Sequence, residues 1–169
     1  MFFGDETAFS LEPNIPYGWL PIGKQTSISS EHKSVGNVFG LLSIKGNGHM
    51  HWTKKNINSK FIIQQLDQLS DRLSKPTVIV LDNAPWHTSR AVQLKITEWK
   101  NKNLYIFYLP PYSPHLNLIE ILQRKIKYEW LEPKDFDLPL SLKNAVLFIF
   151  NNYGKLFNIN FSKNFLFKS

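Results

Sequence analysis

Residues 77–89 read Thr77-Val78-Ile79-Val80-Leu81-Asp82-Asn83-Ala84-Pro85-Trp86-His87-Thr88-Ser89. The run Thr77–Leu81 is continuously β-branched or apolar, the pattern of a strand buried on both faces. It stops at Asp82. In open sheets of this kind, ligands gather beyond the carboxyl ends of the strands. An aspartate in that place is therefore the first candidate functional residue.

The pattern extends in both directions. Downstream, Ser89–Lys100 reads as a helix and Leu104–Leu109 as a second buried strand. Pro110, Pro111 and Pro114 impose an extended, rigid loop. Leu116–Leu131 and Ser141–Tyr153 read as helices, the first with Pro133 beyond its end and the second closing near Gly154. Upstream, Ile57, Phe61, Ile62, Leu66, Leu69 and Leu73 fall at helical spacing, and Pro76 ends that element. Before it lie short strand candidates: Met1–Phe3, Thr7–Leu11, Gln25–Ser30 and Val35–Ile44. The loop containing Pro13, Pro16, Gly18, Trp19, Pro21 and Gly23 and the turn Lys45-Gly46-Asn47-Gly48 separate them. Strands first, then helix–strand–helix–strand–helix, predict an α/β domain: an antiparallel meander joined to parallel strands in one mixed sheet, flanked by helices.

Composition limits the function classes. The 169 residues suit one domain, and 43% hydrophobic with 14% aromatic content supplies a core. There is no cysteine, which excludes a disulfide scaffold, a thiolate zinc site and a cysteine nucleophile. Twenty Lys+Arg against 13 Asp+Glu give a net charge of +7, which favours a polyanionic partner. The start of the chain lacks the pattern of a signal peptide, and no apolar run approaches the ~20 residues that span a bilayer. The expectation is a soluble cytoplasmic, nucleoid-associated protein with no membrane partner.

Three carboxylates stand out by position. Asp5 follows the first strand stub, Asp82 ends the buried strand, and Glu120 lies in the first turns of the Leu116–Leu131 helix. At about 100° per residue, Ile119, Leu122, Ile126 and Trp130 form one apolar stripe of that helix. Glu120, Gln123, Arg124 and Lys127 lie on another side, which puts Glu120 at the rim of the buried face. Phosphodiester cleavage needs an activated water and a stabilised leaving oxygen, and two divalent ions about 3.5–4 Å apart provide both. A few carboxylates suit hard Mg²⁺. Each residue also has an ordinary reading: Asp82 as a cap of the next helix, Asp5 as a turn residue, Glu120 as a solvated carboxylate.

The surrounding residues bear on that choice. The segment Val78–Ser89 resembles the second-aspartate motif of mariner-like and bacterial insertion-sequence transposases, members of the DDE superfamily of endonucleases. Leu109-Pro110-Pro111-Tyr112-Ser113-Pro114-His115-Leu116-Asn117-Leu118-Ile119-Glu120 resembles that family's glutamate motif. Phe3-Gly4-Asp5-Glu6-Thr7-Ala8-Phe9 resembles its first-aspartate motif, and the Gly18-Trp19 and Gly23 loop also fits. The resemblance implies a ribonuclease H-like fold, metal ligation and catalysis by Asp5, Asp82 and Glu120, and a pair of Mg²⁺ or Mn²⁺ ions. It implies DNA as partner, both element ends and target, and it admits a homodimer. Adjacent strand residues point to opposite faces, so Glu6 is expected to point away from the site that Asp5 enters. Leu118 stands where the family usually has proline, and Gln123 where it usually has tryptophan. The family carries an N-terminal helix-turn-helix region. This sequence starts four residues before Asp5, so that region is expected to be absent, or supplied as a separately encoded subunit.

Within the quoted motifs Asn83, His87 and Asn117 are expected to support the site, and Arg124 and Lys127 to contact DNA. His49 and His51 form a His-x-His pair that reads as an exposed strand end more readily than a zinc site. Trp86, Tyr112 and Trp130 are able to stack on bases but more commonly pack. Two other functions stay open on the residues alone: an idle transposase remnant that binds DNA without sequence preference, and a ribonuclease H-like nuclease.

Overall fold

The computed structural model describes residues 1–13, 22, 33–43 and 47–159. The expected strand Gln25–Ser30 and most of the Pro13–Gly23 loop lie outside the described residues. Five strands form one sheet: β1 (Phe2–Ser10), β2 (Ser34–Ser43), β3 (Gly48–Thr53), β4 (Thr77–Leu81) and β5 (Leu104–Tyr108), in the order β3-β2-β1-β4-β5. β1 is antiparallel to β2 and β2 to β3, whereas β4 runs parallel to both β1 and β5. This is the mixed sheet expected from the order of elements.

Helices cover both faces. On one, α1 (Ser59–Ser70) and α2 (Arg90–Asn101) bury Ile62, Leu66, Val92 and Trp99 against Phe39, Leu41, Ile79 and Leu81. On the other, α3 (Leu118–Lys125) and α4 (Pro139–Asn151) bury Leu118, Ile119, Leu122, Leu142 and Val146 against Phe3, Val38, Leu42 and Val80. Alternation along β4 thus sends Ile79 and Leu81 to one layer and Val80 to the other, as a strand buried on both faces requires.

Three boundaries differ from the sequence expectations. The stub Met1–Phe3 and the segment Thr7–Leu11 are one continuous strand, so Asp5 sits within β1 and not at its end. β1 lies between β2 and β4 in the sheet, and its pairing with β2 runs unbroken through Gly4, Asp5 and Glu6. Backbone pairing therefore carries a stretch whose side chains read as a break. The His49–His51 segment, read as a strand end, belongs to a separate strand, β3, at the sheet edge. The long helix expected over Leu116–Leu131 is three pieces: a 3₁₀ turn at Pro114–Leu116, α3, and a π-helical turn over Ile126–Trp130. Leu131 N–H closes that wide turn on the carbonyl of Ile126 at 3.1 Å. Such turns insert a residue into the helical ladder and often sit at functional sites. This one carries Lys127.

Among the described residues, no helix is long and apolar enough to cross a membrane.

Candidate active site

The register of β1 on β4 positions the first two carboxylates. Phe2 pairs with Ile79 and Phe3 with Val80. Two residues further along both strands stand Asp5 and Asp82, on the side of Phe3 and Val80 by alternation. Glu120 comes from α3, which packs on that same layer. Asp5 is paired with Gly40 of β2, and a Cβ at Gly40 would lie 2.6 Å from Ile119 Cδ1. The missing side chain lets α3 descend onto the sheet beside Asp5, with Glu120 next in sequence to Ile119. Asn117, buried at the start of α3, donates from Nδ2 to the carbonyl of Gly4 at 3.1 Å. That bond ties the glutamate helix to the residue before Asp5.

Asp82 and Glu120 line a cleft of about 430 Å³, walled by Asn83, Leu109 and the proline loop through Ser113. Asp5 is not part of that wall, but its carboxyl feels the charge of both. Burial first, then the negative charges of Glu6, Asp82 and Glu120, raise the Asp5 pKa from 3.8 to about 7. Glu120 is also raised, by burial and then by Asp82, against the pull of Arg124 and His115. The three carboxylates are thus close neighbours. They are not a closed cage, since no cluster of three His, Asp or Glu among the described residues is arranged to hold a metal ion.

The donor set fits a divalent cation. It consists of hard carboxylate oxygens, and the charge of Asp82 acts on both Asp5 and Glu120. Asp5, Asp82 and Glu120 are the carboxylates that would supply these oxygens.

Asp82 does not cap the next helix. Ser89 does, accepting from Val92 N–H at 3.4 Å. Asp82 Oδ1 accepts from Ala84 N–H at 3.0 Å and from His87 Nδ1 at 2.7 Å. His87 is fully buried, and its Nε2 donates to Glu6 Oε1, also at 2.7 Å. Ionised carboxylates only accept, so both ring nitrogens donate and His87 is an imidazolium. Its pKa stands at about 9: burial lowers it, and the bonds to Asp82 and Glu6 outweigh that. The same His87 bond holds Asp82 below the usual carboxylate range.

Asn83 donates from Nδ2 to the Leu109 carbonyl, and Tyr108 donates from its hydroxyl to the His87 carbonyl at 2.8 Å, so the loop after β4 is pinned to the end of β5. Glu6 is the residue the sequence reading missed. It leaves the metal side to Asp5, but it does not point away from the site's framework. Its Oε1 holds His87, and its Oε2 accepts from Trp86 Nε1 at 3.1 Å. Face alternation gave its direction, and nothing in the spacing marked a partner 81 residues away.

Arg124 is exposed one turn after Glu120. Lys127 is half-buried with Nζ 5.5 Å from the centre of the Phe9 ring. Burial lowers its pKa, and the charge of Asp5 acts the other way. Of the aromatics, Tyr112 is fully exposed at the cleft, whereas Trp130 packs on Tyr153 and Phe157.

Residues 1–138 match the family described as DDE superfamily endonuclease. No curated protein sequence matches the chain. Solved structures with the same fold include a chain of the simian T-cell lymphotropic virus intasome in complex with the PP2A regulatory subunit B56 gamma. It is 20% identical, with TM-score 0.63, over 94% of this chain and 49% of that one. The Mos1 transposase paired-end complex with the left transposon end gives 20% identity and TM-score 0.60 over 89% of this chain and 47% of that one. The HTLV-2 integrase catalytic core domain in complex with magnesium gives 19% and 0.57 over 94% and 88%. The chain therefore spans about half the length of the first two and most of the third. At these identities the likeness shows the fold, which is that of transposase and integrase catalytic cores.

Proposed function

The chain belongs to the DDE superfamily of endonucleases, and from that membership we propose that it is the catalytic domain of a DNA transposase, cutting DNA and joining the freed 3′ hydroxyl to a target. The observation that carries this reading is the convergence of Asp82 and Glu120 on one cleft, with Asp5 near enough for their charges to act on its carboxyl. These three residues hold the metal, a pair of Mg²⁺ or Mn²⁺ ions, and bound cations there supply an activated water and charge stabilisation at the leaving oxygen. The chain's own part is positional. β1 and β4 present two carboxylates in register, and Asn117 and Gly40 bring α3 down to add the third. Asn83 and His87 fix the loop that carries Asp82.

In the same reading residues 1–169 act as one catalytic domain, and a helix-turn-helix region, on this or another polypeptide, reads the element ends. DNA is the substrate, bound as element end and target, with Arg124 and Lys127 on its phosphates. A second copy of the chain completes the assembly, and the complex works at the nucleoid.

The test is nicking of a DNA duplex in Mg²⁺ or Mn²⁺, with any end-binding partner present. Asp82→Asn keeps the side-chain shape and loses the charge. It is expected to abolish cleavage with the circular dichroism spectrum unchanged. Undiminished cleavage by that variant would overturn the assignment.

A further inference from the structure

We infer that Glu6 is a positioning residue for this site: through His87 it fixes Asp82 so that one carboxylate oxygen is committed to the protein and the other is left for metal. The inference rests on the function proposed above. Its geometry stands independently.

Asp82 Oδ1 carries two hydrogen bonds, from Ala84 N–H at 3.0 Å and from His87 Nδ1 at 2.7 Å. Oδ2 accepts none from the described residues. The carboxylate as a whole is half-exposed and lines the cleft with Glu120. Oδ1 is thus saturated, and Oδ2 is the oxygen with lone pairs to spare.

A buried imidazole makes such a bond reliably only if its ring is held from the far side. A lone His87–Asp82 pair would leave Nε2 without a hydrogen-bond partner in a fully buried ring. Glu6 Oε1 takes that nitrogen at 2.7 Å. Glu6 is itself fixed, because Oε2 accepts from Trp86 Nε1 at 3.1 Å and its side chain is only 13% exposed. The chain Trp86–Glu6–His87–Asp82 therefore runs to the cleft without an unsatisfied link. It also gives both members of the Asp5-Glu6 pair a task on opposite faces of β1. Partners that orient a metal-binding side chain in this way typically account for 10–100-fold in affinity or activity.

The experiment is calorimetric titration of Mn²⁺ into the full chain without DNA, alongside ¹⁵N spectra of the His87 ring. Wild type, Glu6→Ala, Glu6→Gln, His87→Gln, Trp86→Phe and the Glu6→Ala/His87→Gln double variant are compared. Glu6→Ala is expected to weaken Mn²⁺ binding by about tenfold or more and to shift the His87 ring signals. Glu6→Gln, which keeps an acceptor for Nε2, should recover most of the affinity. The double variant should be no worse than His87→Gln alone, because Glu6 acts only through that ring. Trp86→Phe, which leaves His87 itself intact, should cause a smaller loss of the same kind. Unchanged Mn²⁺ affinity in Glu6→Ala, with Asp82→Asn still abolishing it, would overturn the positioning role and leave the proposed function standing. Additive losses in the double variant would also overturn it. If Asp82→Asn too binds Mn²⁺ as wild type does, the proposed function itself fails.

Discussion

Ile119 Cδ1 occupies the space that a Cβ on Gly40 would need, 2.6 Å from where that carbon would stand. Gly40 pairs with Asp5, and Ile119 precedes Glu120. One close approach therefore sets the separation between the sheet carboxylate and the helix carboxylate. Gly40→Ala is expected to destabilise the protein by about 1–3 kcal/mol, the usual cost of overpacking. It should reduce cleavage further than this loss of stability explains, because α3 carries Glu120 away with it. Ile119→Val deletes the clashing methyl at a cost of its own of about 0.5–1.5 kcal/mol. Urea unfolding should show the double variant more stable than the two single losses predict. Strict additivity would mean that the contact does not set the helix height.

Asn117 gives a second handle on the same helix. It is almost fully buried, and its amide donates to the Gly4 carbonyl. Asn117→Ala leaves that carbonyl without its donor and should cost about 1–3 kcal/mol. Asn117→Asp should cost more, since a carboxylate cannot donate and would face the carbonyl with like polarity. Thermal unfolding of both variants checks the order. An Asp variant as stable as wild type would remove Asn117 from the account of how α3 is docked.

Asp5 links stability to pH and metal. Its folded pKa is raised, from 3.8 to about 7, by burial and by the neighbouring carboxylates. A group raised on folding contributes stability that is complete below its unfolded pKa and is lost as pH climbs through its folded value. In the metal-free protein this contribution should therefore fall between about pH 4 and pH 7. Asp5→Asn should flatten that slope, raise the metal-free melting temperature at pH 7.5 and abolish cleavage. Mg²⁺ should raise the melting temperature of the wild type, by ligand linkage, and raise it much less in Asp5→Asn. Equal Mg²⁺ shifts in the two proteins would exclude Asp5 from the metal site.

Much of this arrangement was legible in the sequence because its signals are local. Thr77–Leu81 announces a buried strand by its unbroken apolar run, and Asp82 marks that strand's end. The stripe Ile119, Leu122, Ile126 and Trp130 predicts the buried face of that helix: the first three are buried and Trp130 is half-buried. What was not legible depends on pairing across the sheet. Gly4-Asp5-Glu6 reads as a gap between two strand fragments until β2 pairs through it. His49–Thr53 does alternate, with Met50 and Trp52 turned to the core, but five residues behind a glycine turn do not show which strand they pair with. The bond from His87 to Glu6 joins the loop after β4 to strand β1, and no periodicity encodes it. The π turn at Ile126–Trp130 is likewise invisible to a 3.6-residue pattern, since its residues are ordinary helix formers.

DNA binding separates Arg124 from Lys127. With a net charge of +7, affinity for duplex DNA should come from phosphate contacts and fall steeply with salt, as each neutralised phosphate releases a counterion. Arg124 is exposed and free to reach a backbone that approaches the cleft. Arg124→Ala should weaken binding about equally on unrelated sequences and reduce the salt slope by roughly one unit, the mark of one lost phosphate contact. Lys127 differs. It is half-buried over Phe9, and the charge of Asp5 acts on its ammonium. In the proposed DNA complex its head would meet only a phosphate already at the carboxylates. Lys127→Ala should therefore lower cleavage more than it lowers duplex affinity. Titrating both variants against two unrelated duplexes over a range of salt, together with nicking assays, distinguishes these roles. Identical losses of affinity and of cleavage in the two variants would erase the distinction. A strong preference for one duplex would reveal a sequence-reading element, because base discrimination requires contacts to groove edges that phosphate-binding side chains do not make.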